Sequence, residues 1–269
     1  MARSNAESAP GEPLRVPGWS EIPGLAHGFL GRSPSLPAGH FTLAALEGVL
    51  SAAGEEPRIV LALRQVHGAR VLAPEDLEPT RAAWQAGPLP APLPEGDALV
   101  GASAGVILTI RTADCVPVLL VAPHVRAVAA VHAGWRGMAA GVIANAIAAL
   151  HARYGAGPSE IRAGIGPAIG ACCYEFGAEH LSAFVAAFGR DARRAWGAAG
   201  ARAGAADGEL RVRLDLRLLA RIALARAGVP PDAIALVGPC TAEHPQELHS
   251  YRRDGANAGR QVSYIGWRF

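Results

Sequence analysis

Lysine is absent from this 269-residue chain, whose 25 basic side chains are all arginine. Without an ε-amino group there is no Schiff base with a carbonyl substrate, no pyridoxal enzyme and no phosphate-loop lysine. Aromatic residues are few, with six Phe, five Trp and four Tyr, so a core must be built mainly from aliphatics. No apolar run reaches the roughly 18 residues that span a bilayer, which excludes a membrane helix. The formal net charge is +2 with no basic block, so there is no electrostatic footprint for nucleic acid. Residues 1–13 lack the basic and apolar regions of a signal peptide and read as a short disordered lead. A soluble cytoplasmic protein with reduced thiols is therefore expected, and Cys115, Cys172, Cys173 and Cys240 are candidates for chemistry or packing rather than cross-links.

The chain is long enough to bury a substantial core without a metal or disulfides, and residues 14–269 read as one domain. Short β-branched segments at 58–66, 98–100, 106–110, 118–121 and 127–132 predict strands. From Gly137 the period turns helical, with Val142, Ile143, Ile147 and Leu150 on one side and Gly155 as the stop. Further helices are predicted at 179–188 and at 215–227, the latter capped by Asp215 and ended by Gly228. Strands return at 161–165, 234–237 and 261–267. Consecutive strands without a helix between them favour an α/β (α+β) fold with mixed sheets layered between helices over regular βαβ winding. Alternating prolines at 88, 90, 92 and 94 mark residues 85–96 as a stiff, extended surface loop.

Two familiar patterns fail on context. Gly101-Ala102-Ser103-Ala104-Gly105 has the spacing of a serine-hydrolase elbow, but a strand follows it where a helix is needed, so it reads as a turn. In the glycine-rich stretch 164–170, Ile169 stands where the third glycine of a dinucleotide loop belongs, and Pro167 removes an amide, so it reads as a tight loop. Zinc-protease and base-deaminase signatures are absent. The arginines at 190, 193, 194, 213, 217 and 221 read as a solvated surface.

What remains is a set of three loops at strand ends, each bearing a soft or borderline metal ligand: His67 in QVHG (65–68), Cys115 in ADCVP (113–117) and His132 in HAGWRG (132–137). Such a trio suits tetrahedral Zn²⁺, although buried histidines and a packed thiol would give the same residues. Asp114 is placed to orient a ligand or accept a proton, or simply to form a turn. Trp135 and Arg136, just ahead of a helix, offer amides and a guanidinium to an anion such as phosphate, or else pack and salt a surface. In Ser250–Gly255, strand alternation would turn Arg252 and Arg253 to opposite sides.

Taken together, QVHG, ADCVP, HAGWRG, GIGPAIG with CCYEFG (164–177) and SYRRDG (250–255) resemble the YfiH-like family, also called the laccase-domain or multicopper polyphenol oxidase family. They run in family order across about residues 65–267, with Phe176 in place of the usual small β-branched residue. The resemblance implies a mixed-sheet α/β fold, one zinc on His67, Cys115 and His132, and cleavage of a purine nucleoside such as adenosine, inosine or methylthioadenosine by phosphate, with adenosine deamination as a side activity. In that reading Arg136, with Arg64 and Arg252, holds phosphate, and Asp114 moves a proton toward the departing purine. Copper is less favoured than zinc, since one His, Cys, His trio lacks the many histidines of a multicopper centre. Three alternatives stay open: a Cys115 thiolate hydrolase paired with His132, a polyphenol oxidase or peptidoglycan-precursor editing role, and a non-catalytic zinc module completed by Cys172, Cys173 or Cys240.

Overall fold

The computed structural model of the protein describes residues 12–32, 43–77, 93–198 and 211–269. Its strands are β1 (Leu25–Phe29), β2 (Ile59–Leu61), β3 (Val71–Leu72), β4 (Ala98–Gly101), β5 (Val106–Thr112), β6 (Val116–Ala122) and β7 (Ala127–Ala133), followed by β8 (Arg162–Ile165), β9 (Glu175–Gly177), β10 (Trp196–Ala198), β11 (Arg211–Leu214), β12 (Ile234–Leu236) and β13 (Gln261–Trp267). The helices are α1 (Leu43–Ala52), α2 (Trp135–Ala139), α3 (Val142–Tyr154), α4 (Leu181–Phe188), α5 (Leu216–Arg226) and α6 (Tyr251–Asp254). Among the described residues no helix is long and apolar enough to cross a membrane.

The strands form a six-stranded mixed sheet, β12-β8-β6-β7-β4-β3, a four-stranded sheet, β1-β13-β5-β2, and a small antiparallel sheet, β10-β11-β9. Every residue of β6 and β7 is buried, and the pleat explains why. Successive side chains point to opposite faces. Val118, Leu120, Ala129 and Val131 join Ile143, Ile147 and Leu150 of α3 and Leu219 and Leu224 of α5 in one core. Leu119, Val121, Val128 and Ala130 join Leu108, Ile110 and Ile265 of the four-stranded sheet in a second. The six-stranded sheet is thus covered by helices on one face and by a second sheet on the other. Its central strands read as continuous apolar runs because neither face meets water. The mixed α/β expectation holds.

Several local expectations also hold. Asp215 caps α5 by accepting from the Leu218 amide at 2.9 Å, and α3 ends at Gly155 in the left-handed region. The 101–105 stretch is a turn between β4 and β5, and a loop without a helix follows β8. Others are corrected. Of the strand expected at 58–66 only 59–61 forms a strand, with an isolated bridge from Arg64 to Glu95. Beyond it the Gln65 side chain, rather than backbone, bonds both the amide and the carbonyl of Arg111, and the chain leaves the sheet edge. The helix expected from Gly137 begins at Trp135 and is interrupted at Gly141, whose φ is 87°. Arg213 and Arg217 are half-buried rather than solvated: Arg213 pairs with Glu175, and Arg217 donates to the Gly238 carbonyl. Residues 1–11 of the expected lead and 85–92 of the proline-rich loop lie outside the described residues.

Candidate functional site

Antiparallel pairing of β6 with β7 sets Val116 opposite Ala133 and Pro117 opposite His132. Cys115, one residue before β6, therefore lies at the same end of the sheet as His132. β4 pairs with β7 on the other side, with Ala98 opposite Val131, which places Asp97 beside His132. The His132 amide donates to the Asp97 carbonyl at 2.7 Å. The third loop, between β2 and β3, brings His67 to this end. Nδ1 or Nε2 of His67 and of His132 and Sγ of Cys115 lie within 4.8 Å of one another. The two imidazoles meet edge to face at 4.8 Å between centroids.

Asp97, buried completely, organises this trio. Its Oδ1 lies 2.8 Å from His132 Nδ1 and accepts from the His67 amide at 2.8 Å. Its Oδ2 accepts from the amides of Gly68 at 2.7 Å and Val66 at 3.3 Å. One carboxylate thus orients one imidazole directly and the other through its loop. His67 adopts φ 61° and Asp114 φ 89°, left-handed conformations that cost a non-glycine residue about 1–3 kcal/mol unless the surroundings hold them. The Asp97 bonds to successive amides are such a restraint for His67. Two glycines of HAGWRG are there for space: a Cβ on Gly134 would stand 2.8 Å from His67 Cδ2, and one on Gly137 2.5 Å from the Gly68 carbonyl oxygen.

Burial alone would push the Cys115 thiol up, but hydrogen bonds with His132 and His67 outweigh it and hold the thiol well below its ordinary value. For His132 burial acts downward, yet Asp97 and Cys115 raise it above the usual imidazole range. Each group thus favours the charged form of the other. With Nδ1–H donating to Asp97, the neutral form of His132 presents an Nε2 lone pair, the arrangement common in metal-bound histidines. Two imidazoles and a thiolate fit Zn²⁺, and among the described residues no fourth His, Cys, Asp or Glu joins this donor group.

The trio lines a cavity of about 660 Å³, and all seven residues expected from the sequence line it: His67, Cys115, His132, Asp114, Arg64, Arg136 and Arg252. Arg111 and Arg260 join them, so that five guanidiniums and one carboxylate line the cavity, with Arg64 already paired to Glu95. Burial, and after it the nearby Arg260, push Arg111 below the ordinary guanidinium value. Trp135, Tyr174 and Tyr251 add aromatic surface. Arg136 lies over the Trp135 ring at 4.3 Å, and Arg252 over Tyr174 at 4.9 Å.

Asp114 stands in this wall with both oxygens engaged, Oδ1 by the Thr241 hydroxyl and Oδ2 by the Arg252 amide, each at 2.6 Å. It ties the end of β5 to the loop that carries Arg252. Residues 251–254 form the short helix α6 instead of extended chain. Arg252 and Arg253 still diverge, now by helical rotation: Arg253 turns to Asp254 and to the carbonyls of Thr241 and Leu248. Asp97, Arg111 and Arg260 went unnoticed in the sequence. For Asp97 a signal was available, since a carboxylate entering an apolar strand needs a partner.

The fold and site define a mixed-sheet α/β protein with a soft-metal donor set at the floor of an arginine-rich cavity. The pattern of the multi-copper polyphenol oxidoreductase laccase family matches residues 44–268, and the chain belongs to that family. It is 39% identical over 206 residues to a Xylella fastidiosa protein named purine nucleoside phosphorylase, covering 76% of this chain and 71% of that one. It is 37% identical over 214 residues to the purine nucleoside phosphorylase SCO2081 of Streptomyces coelicolor, covering 79% and 76%. The crystal structure of YlmD from Geobacillus stearothermophilus superposes with a TM-score of 0.79 at 26% identity, over 97% of this chain and 98% of that one. Bacillus licheniformis YfiH gives 0.78 at 25% identity, again over 97% and 98%.

Proposed function

We propose that this protein is a zinc-dependent purine nucleoside phosphorylase acting on adenosine, inosine or methylthioadenosine, with adenosine deamination as a side activity. The observation that carries the reading is one cavity lined by five arginines together with His67, Cys115 and His132. The names of the relatives support it. In phosphorolysis a phosphate oxygen bonds to C1′ of the ribose as the bond from C1′ to the purine nitrogen breaks. The electron pair of that bond leaves with the purine, which takes up a proton, and ribose 1-phosphate remains.

Arg136, Arg64 and Arg252 hold the phosphate, and their charge fixes its oxygens near the ribose. Trp135 and Tyr174 line the cavity as an aromatic wall beside the purine, with their ring faces carrying the Arg136 and Arg252 guanidiniums. Asp114 keeps the Arg252 loop in place through its two hydrogen bonds, and it reaches the departing base as a proton carrier only by releasing one of them. Bound by His67, Cys115 and His132, zinc supplies Lewis acidity toward a substrate oxygen. One such trio is a mononuclear donor set, which favours zinc over a multicopper centre. The four free cysteines suit a reducing cytoplasm.

A second reading follows from the thiolate-favouring contacts of Cys115: a cysteine hydrolase with His132 as its partner. One experiment separates the two. Wild type of measured zinc content and Cys115→Ala are incubated with adenosine, with and without phosphate, and ribose 1-phosphate is followed. Phosphorolysis predicts ribose 1-phosphate only with phosphate present, and its loss along with zinc in the variant. Base release at equal rates without phosphate, or no release at all by zinc-loaded wild type, would overturn it.

A further inference from the structure

A second group of soft donors stands apart from the first. The Sγ atoms of Cys172, Cys173 and Cys240 and a carboxylate oxygen of Glu243 lie within 4.8 Å of one another. A tetrahedral zinc with thiolates at about 2.3 Å has edges of roughly 3.8 Å, so modest side-chain adjustment closes the set. Two loops supply the donors. Cys172 and Cys173 sit on the turn after β8, and Cys240 and Glu243 on the turn after β12. Backbone already clamps these turns together, with Ala168 bridged to Cys240 and the Thr241 amide donating to the Ala168 carbonyl at 3.1 Å.

Two further features suit a metal-bound thiolate cluster. The Gly170 amide donates to Cys240 Sγ at 3.2 Å, the kind of N–H to sulfur bond that stabilises a ligating thiolate. Guanidiniums also ring the group: Arg213 donates to the Cys172 carbonyl, Arg253 to those of Thr241 and Ala242, and Arg217 to that of Gly238. They offset the excess negative charge of three thiolates and a carboxylate on a divalent ion.

We propose that Cys172, Cys173, Cys240 and Glu243 bind one thiophilic divalent cation of the zinc class, with four protein donors and hence in a structural role. Binding releases the three thiol protons and staples the two turns. These turns contact the cavity wall: Thr241 holds Asp114, the Ile169 amide donates to the Asp114 carbonyl at 3.0 Å, and the Arg252 guanidinium reaches the Glu175 carbonyl at 3.1 Å. The staple therefore stiffens the mount of Arg252. The proposal does not depend on the phosphorylase reading.

The test titrates Co²⁺ and Zn²⁺ into reduced full-length protein under anaerobic conditions, in the Cys115→Ala background that removes a donor of the other site. One tight equivalent is expected, with a sulfur-to-cobalt charge-transfer band, and Cys172→Ser/Cys240→Ser in that background should abolish both. Glu243→Gln, at an exposed position, keeps the fold by circular dichroism and should weaken Co²⁺ binding by roughly tenfold or more. No tight equivalent in Cys115→Ala, unchanged binding in the double serine variant, or a Cys172–Cys240 disulfide that forms in preference to metal binding would each overturn the proposal.

Discussion

Two buried histidines of this molecule are shifted in opposite directions by their surroundings. His27, on β1 of the four-stranded sheet, is 1% exposed, and His132, at the end of β7, is 3% exposed. Burial disfavours the imidazolium in both. At His27 the next contributor is the cation Arg15, and the group falls to about 4. At His132 the neighbours are Asp97 and the Cys115 sulfur, and the group is raised. Glu55, the carboxylate that Arg15 meets, is also taken up by Arg268 and Tyr264. Around His27, Arg15 and Arg268 share Glu55, the Val16 amide donates to Nε2, and Nδ1 is buried without a partner. Around His132 the same residue type lines a cavity beside two other soft donors, and that is the physical difference between the two histidines.

The sharpest way to break this comparison is to remove Asp97. Asp97→Ala deprives His132 Nδ1 and three amides of their acceptor at once. We expect a stability loss of about 3–5 kcal/mol, as for stripping one partner from a buried charge pair, read by denaturant unfolding. A loss below 1 kcal/mol would show that Asp97 does not organise the site. His27, by contrast, should make stability pH-dependent. Its folded value lies below the unfolded one, so the unfolded chain binds more protons between about pH 6.5 and 4. Stability is therefore full above pH 6.5 and falls as the pH drops toward 4, by about 3 kcal/mol. His27→Gln should flatten that slope, and an unchanged slope would place the titration elsewhere.

The same contrast explains what could be read in the chain itself. Elements with a local signature were legible: Asp215 and Gly228 bracket α5, and the apolar period of Val142, Ile143, Ile147 and Leu150 marks α3. The buried runs of β6 and β7 announced strands by composition. By contrast β9 and β11 pair Phe176 with Val212 across 36 positions, a match decided by tertiary packing and invisible to periodicity. At the site the residues with chemistry of their own, His67, Cys115 and His132, stood out by type and by position at strand ends. Asp97, Arg111 and Arg260 act through what they face, and their surroundings appear only once the six-stranded sheet that carries β4 is packed on the four-stranded sheet that carries β5 and β13.

A smaller effect is expected at the cavity wall, where the proposed phosphate contacts are exposed. Arg252→Ala leaves its backbone bond to Asp114 in place and removes one charged donor, so kcat/KM for phosphate should fall roughly ten- to hundredfold. Stability should change little, because an exposed guanidinium contributes little to folding. If phosphate dependence is unaltered, Arg252 belongs to the scaffold and not to the anion site.

The smallest effect calibrates the largest. Asp215 is a carboxylate like Asp97, but it is half-exposed and accepts a single side-chain hydrogen bond, from the Leu218 amide. Asp215→Ala should cost about 1 kcal/mol, the usual value of a lost N-cap, while Asp215→Asn, which still caps, should be close to neutral. Asp97 accepts from Val66, His67 and Gly68 and lies against His132, so its removal should exceed that of Asp215 severalfold, and Asp97→Asn should not rescue it, because an amide has one acceptor oxygen where the site uses two. Equal losses at the two positions, measured under the same conditions, would mean that the Asp97 contacts are no more than a cap.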